Sequence, residues 1–199
     1  FLPERMKLDL ASAQKTLKPG EALQLDVAAA YLYGAPASGN RFTARLGLIA
    51  EQHPVEKYPD HYFGDPTIAL PKKTDDIVDS ELDEQGRLKT PIELPAEVKG
   101  GAPVSAIITG SVYETGGRPV SRSLKRTMWP AAALVGVRPL FDAKDSAPYN
   151  STVGFELLRS DVDGKLSAAG NLSVSLLREQ REYHWTYESG HWGYDYTST

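Results

Sequence analysis

The chain has 199 residues, 41% of them hydrophobic and 24% charged, with a formal net charge of −4 and no cysteine. That length and composition suit two compact domains of roughly 100 residues each and exclude a disordered polar tail. The acidic balance leaves no basic field for nucleic acid or an acidic membrane surface, and the missing thiols exclude disulfides, a thiolate nucleophile and sulfur-ligated metal.

Beginning at Phe1 with neither an initiator methionine nor a charged-then-apolar leader, the chain reads as a piece excised from a longer protein, any export signal or anchor lying outside it. No stretch approaches the ~20 apolar residues of a transmembrane helix. Fourteen prolines and seventeen glycines cut the sequence into short runs whose apolar residues recur at every second position, the strand period. Leu23, Leu25, Val27, Ala29, Tyr31 and Tyr33 alternate with Gln24, Asp26, Ala28 and Ala30, as a strand with one buried face demands. Phe42, Ala44, Leu46 and Leu48 repeat the pattern after the loop residues Gly34 to Asn40, so the two runs are expected to form a hairpin with a long connection. Gln52 to Thr74, rich in Pro, Tyr, His and Asp, has no sustained period and is expected to be an irregular surface loop. Ile77 to Leu82 could form a single helical turn. Asp83-Glu-Gln-Gly86 signals a turn into a strand through Leu88, Ile92 and Leu94. The Pro- and Gly-rich stretch Pro95 to Pro103 is expected to be the domain boundary, giving domains 1–99 and 100–199.

The pattern restarts with Val104, Ala106, Ile108, Gly110 and Val112 on one face and Ser105, Thr109 and Ser111 on the other. Turn residues Thr115 to Pro119 follow, then expected strands over Val120 to Arg126, over Ala133 to Val137 and through Val153, Phe155 and Leu157. Asp161-Val-Asp-Gly164 turns the chain into an expected strand at Leu172, Val174 and Leu176. The architecture is all-β: two tandem immunoglobulin- or fibronectin-like antiparallel β-sandwiches.

At the C-terminal end, Tyr183, Trp185 and Tyr187 and then Trp192, Tyr194 and Tyr196 each alternate with polar residues around Ser189-Gly190. A two-residue turn there sets Tyr187 against Trp192, Trp185 against Tyr194 and Tyr183 against Tyr196. Cross-strand aromatic pairs of this kind contribute about 0.5–1.5 kcal/mol each beyond area burial. Such a face either packs on a core, that of a neighbouring domain included, or serves as a stacking platform. Bases are disfavoured as its ligand because the hairpin has no basic residues beside the rings; sugars remain an alternative.

No residue pattern signals catalysis, a cofactor or a metal. His53, His61, His184 and His191 lack a shared-ligand spacing such as i, i+4 on a helix, and Asp161-Val-Asp163-Gly164 starts like a calcium loop but has Asn171 and Leu172 where the bidentate glutamate belongs. The acidic run Asp75, Asp76, Asp79, Glu81, Asp83, Glu84 has the composition of a solvated face. Neither a nucleophile elbow nor a phosphate or dinucleotide loop is present, and the Asn150 and Asn171 sequons matter only in a eukaryotic secretory route. The chain is therefore expected not to be an enzyme.

Three stretches resemble macroglobulin domains of the bacterial alpha-2-macroglobulin family: Phe1-Leu-Pro-Glu-Arg-Met-Lys7, Tyr31-Leu-Tyr-Gly-Ala-Pro36, and Asp83-Glu-Gln-Gly-Arg-Leu88 leading to Pro91-Ile-Glu-Leu-Pro95. In the second half, Gly110-Ser-Val-Tyr-Glu-Thr-Gly-Gly-Arg-Pro119 and Arg178-Glu-Gln-Arg-Glu-Tyr-His-Trp185 resemble the following module. The resemblance implies a segment of a periplasmic protease trap held at the inner membrane by a lipidated N-terminus. In such a trap a bait segment is cut, the molecule rearranges and a thioester captures the attacking protease. It also implies that the partners are target proteases and neighbouring macroglobulin domains. The thioester requires a cysteine in a Cys-Leu-Glu-Gln type motif, which this chain lacks, so the resemblance makes these residues scaffold.

Overall fold

The computed structural model describes residues 4–65, 74–96, 101–114, 118–142, 147, 150–175, 180–188 and 190–198. Two compact units are formed, Phe1–Ala168 and Ala169–Thr199. Among the described residues every regular element is a strand.

The first unit opens with β1 (Met6–Ala11), β2 (Thr16–Leu17), β3 (Leu23–Tyr31) and β4 (Arg41–Ala50). Next come β5 (Tyr62–Phe63), β6 (Thr74–Glu81), β7 (Arg87–Ile92), β8 (Val104–Tyr113) and β9 (Val120–Met128). β10 (Leu134–Pro139) and β11 (Phe155–Ser160) complete it. β3 lies between β1 and β7 in one antiparallel sheet, and a second sheet runs β2-β9-β8-β4-β6, with only β2 parallel to its neighbour. The alternation in the sequence fills the space between them. Met6, Leu8, Leu23, Leu25, Val27 and Ile92 project from the first sheet, and Phe42, Ala44, Val104, Ala106, Ile108 and Val112 from the second, into one buried cluster. Each fully buried large side chain there contributes about 1.5–3 kcal/mol.

Four expectations are corrected. The runs at Leu23 and Phe42 are both strands, but β3 and β4 lie in different sheets; β4 pairs with β6 and β8 instead. Both strands bury one face in the same core from opposite sides, and period two identifies the buried face but not the hydrogen-bonding neighbour. Ile77 to Leu82 is not a helical turn, because Ile77 to Glu81 belongs to β6, whose Asp79 and Asp76 side chains pair with Arg41 and Arg45 of β4. The expected boundary at 95–103 falls inside the sandwich: β8, beyond it, pairs along its whole length with β4, and the chain leaves the sandwich only at Trp129. Proline and glycine there mark a crossing between sheets and not a linker. Finally, Leu172 and Val174 are exposed and belong to no strand.

The turn at Thr115–Gly117, residues 66–73 of the irregular stretch, Leu176 and Ser189 lie outside the described residues. The Asp161 turn is formed as expected. The Asp161 carboxylate accepts the backbone N–H of Asp163 at 3.0 Å and of Lys165 at 2.8 Å, so backbone amides engage it.

The second unit contains a hairpin of β12 (Arg181–Glu188) and β13 (His191–Ser198).

Candidate functional site

The six aromatic residues picked out in the sequence are brought together as expected. The hairpin register pairs Tyr183 with Tyr196, Trp185 with Tyr194 and Tyr187 with Trp192, and Gly190 supplies the left-handed φ of +84° that the tight turn needs. The rings pack on one another, with Trp185 edge-on to Tyr194 at 4.8 Å, Tyr187 tilted on Trp192 at 5.2 Å and Tyr183 stacked on Tyr194 at 5.6 Å. All six remain exposed, Trp185 at 65% and Trp192 at 69%.

A second constellation lies where the sequence suggested only a loop. The irregular stretch after β4 folds back on itself through Tyr58 N–H to the Val55 carbonyl, His61 N–H to the Tyr58 carbonyl and Phe63 N–H to the Gln52 carbonyl. These turns present β5 to β10, so a segment that lies between strands of the sandwich becomes the third strand of the sheet β11-β10-β5. Phe63, 1% exposed, enters a small core with Val55 and Trp129, flanked by Tyr58, Leu134, Leu158 and Val162. Its ring meets the Trp129 indole at 5.9 Å between centroids. Opposite Phe63 in the register stands Gly136, where a Cβ would come within 2.7 Å of the Phe63 Cζ; only glycine leaves room for the ring. The Trp129 backbone N–H donates to the Leu17 carbonyl of β2 at 2.8 Å, and the Tyr58 hydroxyl donates to the Gly164 carbonyl in the turn after β11 at 3.5 Å.

Beside this apolar socket lies a polar layer. His61 is 5% exposed; its Nε2 has no hydrogen-bond partner among the described residues and stands 3.9 Å from Glu156 Oε2. Glu156 also pairs with the Arg138 guanidinium, whose Nε is buried without a partner among the described residues. Burial lowers the His61 pKa from the ordinary histidine value, and nearby Arg138 pushes the same way against the opposing pull of Glu156 and Asp60. His53 Nδ1 donates to the His61 carbonyl at 3.1 Å.

At the end of β4, Glu51 accepts from Ser105 of β8 and pairs with Lys125 of β9 at 2.6 Å. Burial raises its pKa, yet the Lys125 and Ser105 hydrogen bonds and the charges of Lys125 and His53 outweigh that and hold the carboxyl below its usual range.

Sequence reasoning found the hairpin because its aromatics share one local period. It missed the joint because Val55 and Phe63 are distant in the chain from Trp129 and Gly136. The available signal was Phe63 two residues after His61, apolar beside polar in a stretch otherwise without pattern.

Residues 4–130 match the family described as "Bacterial Alpha-2-macroglobulin MG5 domain", and residues 136–199 match "Bacterial macroglobulin domain 6". The chain belongs to the bacterial alpha-2-macroglobulin family. It is similar to the alpha-2-macroglobulin of Xylella fastidiosa, 53% identical over 197 residues, which covers 99% of this chain and 12% of that protein. Among solved structures, the native conformation of Escherichia coli alpha-2-macroglobulin matches all of this chain at 34% identity and a TM-score of 0.85, over 13% of its own length. The E. coli protein activated by porcine elastase matches at 35% identity and a TM-score of 0.84, over 18% of its length. The chain thus spans a small part of these alpha-2-macroglobulins. The break between the two matched domains, at 130–136, coincides with the exit from the sandwich after β9.

Proposed function

We propose that these residues are a scaffold segment of a broad-spectrum protease inhibitor, not an enzyme, and that the parent captures proteases after bait cleavage through a thioester outside this segment. The observation that carries the reading is the joint. A trap driven by a cut in one place must pass displacement to another, and two domains on a free linker would dissipate it. Here the segment between β4 and β6 of the first domain adds β5 to the sheet of the second and buries Phe63 there against Trp129, so the two macroglobulin domains contribute to one sheet and one small core. The chain has no cysteine, so on this reading the cysteine of the thioester, released as thiolate when the protease is acylated, is supplied by another part of the parent. The elastase-activated relative supports proteases as the parent's partners, with neighbouring macroglobulin domains as this segment's own. The same reading puts the parent in the periplasm, anchored to the inner membrane by a lipidated N-terminus. The test is to incubate the full-length parent with a protease that cleaves it and look for a complex that survives denaturation. Cleavage with no covalent adduct overturns the reading.

One observation favours a second reading, a carbohydrate- or adhesin-type module: the indole faces of Trp185 and Trp192 are exposed, as a stacking platform requires. Quenching of hairpin tryptophan fluorescence by soluble glycans, lost in Trp185→Ala, would support it; no quenching by any glycan tested rejects it.

A further inference from the structure

His61 is a histidine buried at a contact between two domains, with a ring nitrogen that no group among the described residues satisfies. From β11 it faces Glu156 at 3.9 Å, and from β10 Arg138, which holds the same carboxylate. On its own segment it faces the Tyr58 ring edge-on at 5.7 Å, with Asp60 adjacent and His53 bonded to its carbonyl. Glu156 is therefore already paired with Arg138, and a second cation at His61 would be buried sharing that carboxylate with the guanidinium. The strand this histidine precedes has only two residues, and among the described residues β5 meets β10 at only two register pairs, Tyr62 with Val137 and Phe63 with Gly136. We propose that the joint is an acid-sensitive latch, closed while the His61 ring is neutral and released when that ring takes up a proton. The inference rests on the joint reading above and adds a way of opening it.

The direction follows from linkage. In the closed joint burial disfavours the protonated ring, so the closed state binds fewer protons than the open one. The latch is at full strength above the free-histidine value of 6.5 and weakens as pH falls below it. One proton limits the loss to about tenfold in the closing equilibrium per pH unit.

The test is hydrogen exchange of the 199-residue chain between pH 5 and 7.5, corrected for the intrinsic exchange rate at each pH. Protection at Val137, which faces Tyr62 across the joint, should fall by up to about tenfold per pH unit below 6.5, while Ile108 in β8 stays protected. In His61→Phe, joint protection should be independent of pH. Should that variant not fold, Glu156→Gln removes the carboxylate that favours the proton, and the loss at pH 5 should exceed that of the unmodified chain. Joint protection that is flat with pH, that falls equally in His61→Phe, or that falls together with Ile108 overturns the proposal. Phe63→Ala separates the two levels of the argument: it should expose the joint amides at every pH. If it does so while the unmodified chain is flat, the latch fails and the joint stands; if it changes nothing, both fail.

Discussion

Gly136→Ala tests the joint with a single methyl group. A Cβ built at Gly136 lies 2.7 Å from Cζ, 2.9 Å from Cε1 and 3.1 Å from Cε2 of Phe63. Carbon atoms in ordinary contact sit about 3.5–4.0 Å apart, so the ring must retreat by roughly 1 Å. Its retreat is blocked by Val55 and Trp129, both nearly fully buried. Overpacking of this kind costs about 1–3 kcal/mol. Native-state hydrogen exchange at Val137, opposite Tyr62 in the joint, would read that loss as a smaller free energy of local opening. The partner variant Phe63→Leu lacks the Cε and Cζ atoms that collide, and by itself leaves a cavity costing ~1–2 kcal/mol. In its background Gly136→Ala should cost less than about 0.5 kcal/mol, a coupling that a double-mutant cycle measures. Equal losses in both backgrounds would refute the claim that Gly136 is there to make room for the ring.

Three further outcomes are expected. Phe42→Ala, which empties a fully buried position between the sheets, should lower sandwich stability by about 3–5 kcal/mol in urea denaturation. Glu51→Gln should lower stability by about 1 kcal/mol at neutral pH. Because the Glu51 carboxyl is held below 4.5 when folded, that stabilisation is full above 4.5 and lost as pH falls through the folded value, so the mutant and unmodified chains should converge in acid. Gly190→Ala forces a side chain onto a φ of +84° and should weaken the hairpin by about 1 kcal/mol, seen as loss of the aromatic near-ultraviolet circular dichroism.

What the sequence discloses is local and periodic. The buried faces of β3, β4 and β8 and the hairpin register down to the pairing of Tyr187 with Trp192 follow from alternation and one turn. Which strands become neighbours does not. β3 and β4 look like a hairpin because both bury alternate residues, yet Leu25 and Ala44 enter one core from facing sheets. The proline- and glycine-rich stretch before β8 looks like a linker because crossing between sheets requires the same residues as leaving a domain. The joint was least legible: a two-residue strand has no period, and the reason for Gly136 is Phe63, more than seventy residues earlier in the chain.

The central claim is that the sandwich and the sheet beyond Trp129 move as one piece, and a distance across the joint tests it most directly. The chain has no cysteine, so Ser123→Cys in β9 and Lys165→Cys after β11, both exposed, give a clean pair of spin-label sites. Electron paramagnetic resonance should give one narrow distance distribution above neutral pH, broadened by Phe63→Ala. A broad distribution in the chain without that substitution, or one that Phe63→Ala leaves unchanged, would contradict the account.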